Sequence, residues 1–265
     1  MSPAKTSATV AEGWSGWDAY APFYDWENAQ TVGRRDVAFW RRLSAAQEGA
    51  VLELGCGTGR ITIPCAKNGA QVVGVDRSAE MLARGRRRVR RSKLKGTAAL
   101  VRGDIRALPF RSRPGFDLVM APYGILQSLT KEADLRSTLE SVHRVLRKGG
   151  LFGIDLVPDL PRWSEYERRL SLKGSRGRST NITLIESVRQ DRPRRLTIFD
   201  HEYIERRGTE KRVHTFSLTF RTLSVERMSE RLEKTGFEIR AVLGDYRGGP
   251  WDPRSDVWVI LAGKP

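Results

Sequence analysis

The chain has 265 residues, 39% of them hydrophobic, and 47 lysines and arginines against 31 aspartates and glutamates give a net charge of +16. That apolar share fills an ordinary core and excludes a polar disordered chain, and no run nears the ~18 apolar residues of a membrane-spanning helix. The basic excess draws anions by its field without naming one.

No apolar leader-like stretch opens the chain, so no secretory signal is expected. Residues 1–45 are crowded with Trp14, Trp17, Tyr20, Phe23, Tyr24 and Trp26, an aromatic arm that plain core packing explains, and 36–40 suggests a helix. The run Val51-Leu52-Glu53-Leu54 then feeds Gly55, Gly57 and Gly59. A buried strand that ends this way enters a loop passing close to a ligand, because glycine takes positive φ and has no Cβ to hold the ligand off. The dinucleotide fingerprint would want a third glycine where Arg60 stands, so the pattern is G-x-G-x-G. A helix beginning within 60–66 would turn its first N–H groups towards a nucleotide-like ligand. Cys56 and Cys65 fall in this loop and the segment after it, the arrangement of reduced thiols in a cytosolic protein.

The next strand, 71–76, ends in Asp76, which either accepts ribose hydroxyls or caps the helix opened by Ser78-Ala79-Glu80-Met81. That helix carries the densest cationic cluster, 84–95, which is either a solvated face or an anion-binding one; it lacks the interleaved aromatics of a single-strand binding groove. A third short strand, 99–105, holds Asp104 and Ile105, and 115–124 gives a fourth strand with a loop through Pro122 and Tyr123. Leu135, Leu139, Val142 and Leu146 keep helical spacing over 131–146, with Arg147-Lys148-Gly149-Gly150 as its cationic last turn and glycine stop. A fifth strand follows at 151–156.

Residues 157–177 are rich in proline and charge; 181–188, 196–204 and 213–223 then alternate with period two around turns at 190–193 and 207–209, which reads as a three-stranded antiparallel cap. Ser224 is placed as the N-cap of a helix ending at Thr235-Gly236, and 237–243 and 256–262 fit two last strands. His143, His201 and His214 are scattered, so no metal site is expected.

From 51 to 156 these segments, in this order, resemble the class I S-adenosylmethionine-dependent methyltransferases. The resemblance implies a seven-stranded, mostly parallel sheet with helices on both faces, plus an antiparallel β cap inserted after strand five. The chain would divide into an N-terminal aromatic lid (1–45), a cofactor-binding core (46–156), the cap (157–223) and a C-terminal helix with the last two core strands (224–265). It implies S-adenosylmethionine as cofactor, held by Tyr24, Asn28, Glu53, Gly55, Cys56, Gly57, Gly59, Asp76, Arg77, Met81, Asp104, Ile105 and Pro122. Asp104 would face the adenine amino group. The arm would be a lid like that of small-molecule enzymes, whose Tyr-Asp-x-x-Tyr stretch is matched at Tyr24 and Asp25 but carries Asn28 in place of the second tyrosine.

Base-modifying relatives carry Asn/Asp-Pro-Pro-Tyr/Phe after strand four, and Met120-Ala121-Pro122-Tyr123 lacks its amide or carboxylate. The expectation is therefore methyl transfer to N or O of a small molecule, with Tyr123 and His201 as candidate catalytic residues and Glu202 and Tyr203 as further cap candidates. An RNA methyltransferase using the basic surface, or a cofactor-binding protein without catalysis, are the alternatives. A nucleic-acid partner ranks behind a small acceptor, and no membrane partner is expected.

Overall fold

The computed structural model describes residues 16–31, 35–156, 165–177, 179–255 and 257–265. In chain order the N-terminal elements are α1 (Trp17–Thr31), α2 (Arg35–Ala45), β1 (Val51–Leu54), α3 (Thr62–Lys67), β2 (Gln71–Asp76) and α4 (Ala79–Arg90). Then come β3 (Thr97–Arg102), β4 (Phe116–Ala121), α5 (Glu132–Val145) and β5 (Leu146–Leu156). The strands β6 (Tyr166–Arg176), β7 (Thr180–Asp191), β8 (Leu196–Arg207) and β9 (Glu210–Arg221) precede α6 (Val225–Lys234), β10 (Glu238–Leu243) and β11 (Trp258–Gly263). Trp14 and residues 157–164 lie outside the described residues. Among those described, no helix is long and apolar enough to cross a membrane.

The main sheet runs β10-β11-β5-β4-β1-β2-β3, with β11 antiparallel to both neighbours and β1 to β5 parallel. The seven-stranded, mostly parallel sheet expected from sequence is the one present. Its central strands read as unbroken apolar runs because helices cover both faces; β1 and β4 are buried at every position. On one face α5 and α6 contribute Leu135, Leu139, Met228 and Leu232, while on the other α2 and α3 contribute Trp40 and Cys65. Chain order reverses at β1, which lies between β2 and β4, and ligands of such sheets bind beyond the carboxyl ends of the strands there.

Two local readings need correction. The segment Arg147-Lys148-Gly149-Gly150 is not the last turn of α5, which ends at Val145 with His143 and Arg144 as its basic residues. Register on β4 jumps from Phe116↔Leu146 to Leu118↔Leu151, so these four residues bulge from β5, where Gly149 N–H donates to the Lys264 carbonyl at 2.8 Å. The cap has four strands, ordered β6-β7-β8-β9, not three. β6 escaped detection because it is an edge strand with no buried position, so no buried alternation marks it. The inner face of the cap packs Ile182, Leu184, Tyr203 and Leu218 against Tyr20, Ala21 and Phe23 of α1.

Candidate active site

The three glycines after β1 all have positive φ, +63°, +52° and +79°, but for different reasons. A Cβ on Gly55 would strike Ile125 at 2.6 Å and one on Gly59 would press on Ile63 at 3.0 Å, so both allow packing. A Cβ on Gly57 would meet no protein atom closer than 4.0 Å, and the nearest would be the Asp76 carboxylate. It would stand in the cavity described below, which is the cradle a close-approaching ligand requires. α4 seals the loop from behind: at Gly85 a Cβ would lie 3.1 Å from the Gly57 carbonyl.

Asp76 pins this loop. Its Oδ2 accepts from Gly57 N–H and its Oδ1 from Ser78 N–H, both at 2.8 Å, and burial raises its pKa. Capping of α4 falls to Ser78, whose hydroxyl accepts from Met81 N–H at 3.1 Å. Further along the sheet, Asp104 is forked by Arg106, with Nη2 at 2.8 Å, and lies 3.5 Å from Arg77; the Arg106 hydrogen bonds hold its pKa down. At the tip of β1, Glu53 is buried and accepts from the Thr62 hydroxyl; loss of hydration lifts it to about 7.

α1 lies across the opening and is tied down at two places. Asp18 accepts from the Ser78 hydroxyl at 2.5 Å and from Glu80 N–H at 3.2 Å, adding a carboxylate to the positive end of α4. Two turns later on the helix, Asp25 accepts from the Thr58 hydroxyl at 2.6 Å and from Arg88 at 3.1 Å, and Thr58 belongs to the glycine loop. Glu27 joins α1 to the cap by accepting from Tyr20 and Tyr203.

After β4, Tyr123 and Gly124 both adopt left-handed conformations, φ +60° and +62°. For a bulky residue this is a genuine outlier, held here by Gly124 N–H on the buried Asp155 at 2.9 Å. Asp155, lifted to about 6 chiefly by burial, also accepts from the Tyr246 hydroxyl. The Arg60 guanidinium lies 4.9 Å over the Tyr123 ring.

One cavity of about 370 Å³ joins these parts. Of the sequence-derived candidates, Tyr24, Glu53, Gly55, Cys56, Gly57, Asp76, Arg77, Met81, Asp104, Ile105, Pro122 and Tyr123 line it. Asn28 and Gly59 do not; Asn28 donates its amide to the Tyr24 carbonyl. His201 is not in the lining either: it is buried in the cap with Nε2 at 2.8 Å from Glu186. Tyr203 is occupied with Glu27, and Glu202 pairs with Arg168 on the outside. Trp17 of the expected lid lines the cavity too, and sequence reasoning passed over Asp18, Arg60, Ile125 and Phe220 beside it. Only Arg60 left a signal, since it replaces a glycine of the dinucleotide pattern. Among the described residues no cluster of His, Cys, Asp and Glu could hold a metal ion.

Residues 51–150 match the family described as "Methyltransferase domain". The cypemycin N-terminal methyltransferase of a Streptomyces species is 28% identical over 215 residues, covering 80% of this chain and 81% of that protein. Among solved structures, the CcbJ methyltransferase of Streptomyces caelestis superposes with a TM-score of 0.79 at 20% identity, over 96% of this chain and 99% of the other. The sugar N-methyltransferase KedS8 of Streptoalloteichus sp ATCC 53650 gives 0.73 at 17% identity, over 100% and 99%.

Proposed function

We propose that this chain, a class I S-adenosylmethionine-dependent methyltransferase, carries the methyl group to an amine of a small molecule or of a peptide end. The observation behind this reading is that the glycine loop and Asp76 share one cavity with an aromatic wall assembled from three separate elements. Trp17 and Tyr24 come from α1, Tyr123 from the loop after β4, and Phe220 from the cap. A mostly apolar wall with a few polar groups is the usual character of a small-ligand site.

The cofactor's sulfonium supplies a methyl group that is already activated, so the chain's work is alignment, worth roughly 7–11 kcal/mol when the geometry is good. Gly57 and Asp76 would seat the adenosine portion, α1 would close over it, and Tyr123 would present its hydroxyl to the acceptor. The Tyr123 phenol stays protonated near neutral pH, as an ordinary tyrosine does. No histidine lines the cavity among the described residues. An oxygen acceptor would need a base to ionise it, whereas an amine needs only its neutral fraction. The relative that acts on a peptide N-terminus supports nitrogen as the attacking atom.

The test is incubation of the chain with S-adenosylmethionine and a panel of amino sugars, short peptides and phenols, read by mass spectrometry. Methylation confined to amines is expected. Methylation of phenols or alcohols alone would overturn the choice of nitrogen.

A further inference from the structure

Arg60 is a buried cation that faces the cavity and has no part in the adenosine end of the site. Its side chain is 15% exposed and is gripped by Asp36 of α2, with Nη1 to Oδ1 at 3.0 Å and Nη2 to Oδ2 at 2.6 Å. Replacing such a buried pair by apolar residues is often neutral or stabilising, so packing alone does not require it.

The cations lining the cavity fall into two groups. Arg77, Arg102 and Arg106 gather at the β3 end, where two of them meet Asp104 and Arg102 donates to the Arg77 carbonyl at 3.3 Å. Arg60 stands with Glu53 and Tyr123 at the tips of β1 and β4, two strands away from β3, or about 10 Å at the spacing of paired strands. A ligand with its adenosine over β2 and β3 therefore extends its remaining portion towards β1. In S-adenosylmethionine that portion is an amino acid, with an ammonium and a carboxylate that each need an opposite partner on leaving water. Glu53 offers one sign and Arg60 the other. A guanidinium has more N–H donors than one carboxylate accepts, so Asp36 can orient Arg60 while a second carboxylate binds.

We propose that Arg60, oriented by Asp36, receives the α-carboxylate of the cofactor's amino-acid end. This rests on the cofactor and not on the choice of acceptor.

The experiment titrates the full chain with S-adenosylhomocysteine and with 5′-methylthioadenosine, which keeps the adenosine and thioether but lacks the amino-acid end. In Arg60→Ala the first should weaken by about tenfold or more and the second by less than about threefold. Arg60→Lys, which keeps the charge and loses the fork, should fall between, and it serves if the alanine variant does not fold. Equal loss for both ligands would make Arg60 a structural residue, and no loss for either would place the carboxylate elsewhere; each result overturns the proposal.

Discussion

At the scale of single residues, the distinction among the three glycines makes a sharp test. Gly57→Ala should cost stability only through its positive φ, about 1–2 kcal/mol, because its Cβ meets no protein atom within 4.0 Å. Cofactor binding should nevertheless be lost, which calorimetry beside a melting curve would separate; a variant that binds normally would show the glycine to be only a turn. Glu53 gives a second test. Its folded pKa of about 7 lies above the ordinary 4.5, so the folded state holds a proton that the unfolded state gives up first. Its contribution to stability is full below pH 4.5 and is lost as pH rises through 7, on the order of 3 kcal/mol in all. Asp155 has the same sign with a folded value of about 6. The free protein should lose stability between pH 5 and 8, and Glu53→Gln should flatten that slope in denaturant titrations. Residues of this kind were legible in sequence wherever a strand tip announced them, as with Glu53, Asp76 and Asp104. Asp18 and Phe220 were not, because an exposed helical aspartate and one aromatic in an alternating strand carry no mark of what they will face.

At the scale of elements, the central strands were readable because helices on both faces demand unbroken apolar runs. β6 was not, because this edge strand has no buried position and is filled largely by charged and polar residues. The helix α5 was read past Val145 into Leu146 and the last turn at 147–150, since the β4–β5 pairing claims Leu146 before helix propensity can. The behaviour of α1 also belongs to this scale. Asp25 connects it through Thr58 to the loop that must release the product, so freeing that latch should speed release. Asp25→Asn should raise the dissociation rate of S-adenosylhomocysteine about tenfold, the effect of weakening hydrogen bonds to a charged group. Stopped-flow fluorescence would measure it, with Trp17 in the cavity wall as a natural reporter. Glu27 still holds α1 to the cap in that variant, so the melting temperature should move little. An unchanged dissociation rate would mean that α1 does not gate the product.

At the scale of the whole molecule, the question is what the charge of +16 does. Elsewhere on the surface arginines are met by carboxylates: Arg147 by Asp117, Arg168 by Glu202, and Arg221 and Arg231 by Glu132, which the two guanidiniums hold near 2. Along α4 and just beyond it, Arg87, Arg90, Arg91, Lys93 and Lys95 are exposed and pair with no carboxylate among the described residues. Arg88 differs from these neighbours, since it reaches back to Asp25 and Thr58 and belongs to the latch. The cationic helix is thus two things at once, a structural residue set within a solvated row. Composition could not separate them, because both look like arginine. Replacing Arg87, Arg90 and Arg91 by glutamine should therefore leave cofactor affinity and turnover within about threefold, the size of screened surface electrostatics. Arg88→Gln should loosen product binding as Asp25→Asn does, and combining the two should add little, because both break one contact. Filter binding of RNA at low and high salt would run beside these assays. If the triple replacement abolished turnover together with a salt-sensitive RNA complex, the row would be a nucleic-acid site and the acceptor would be sought there.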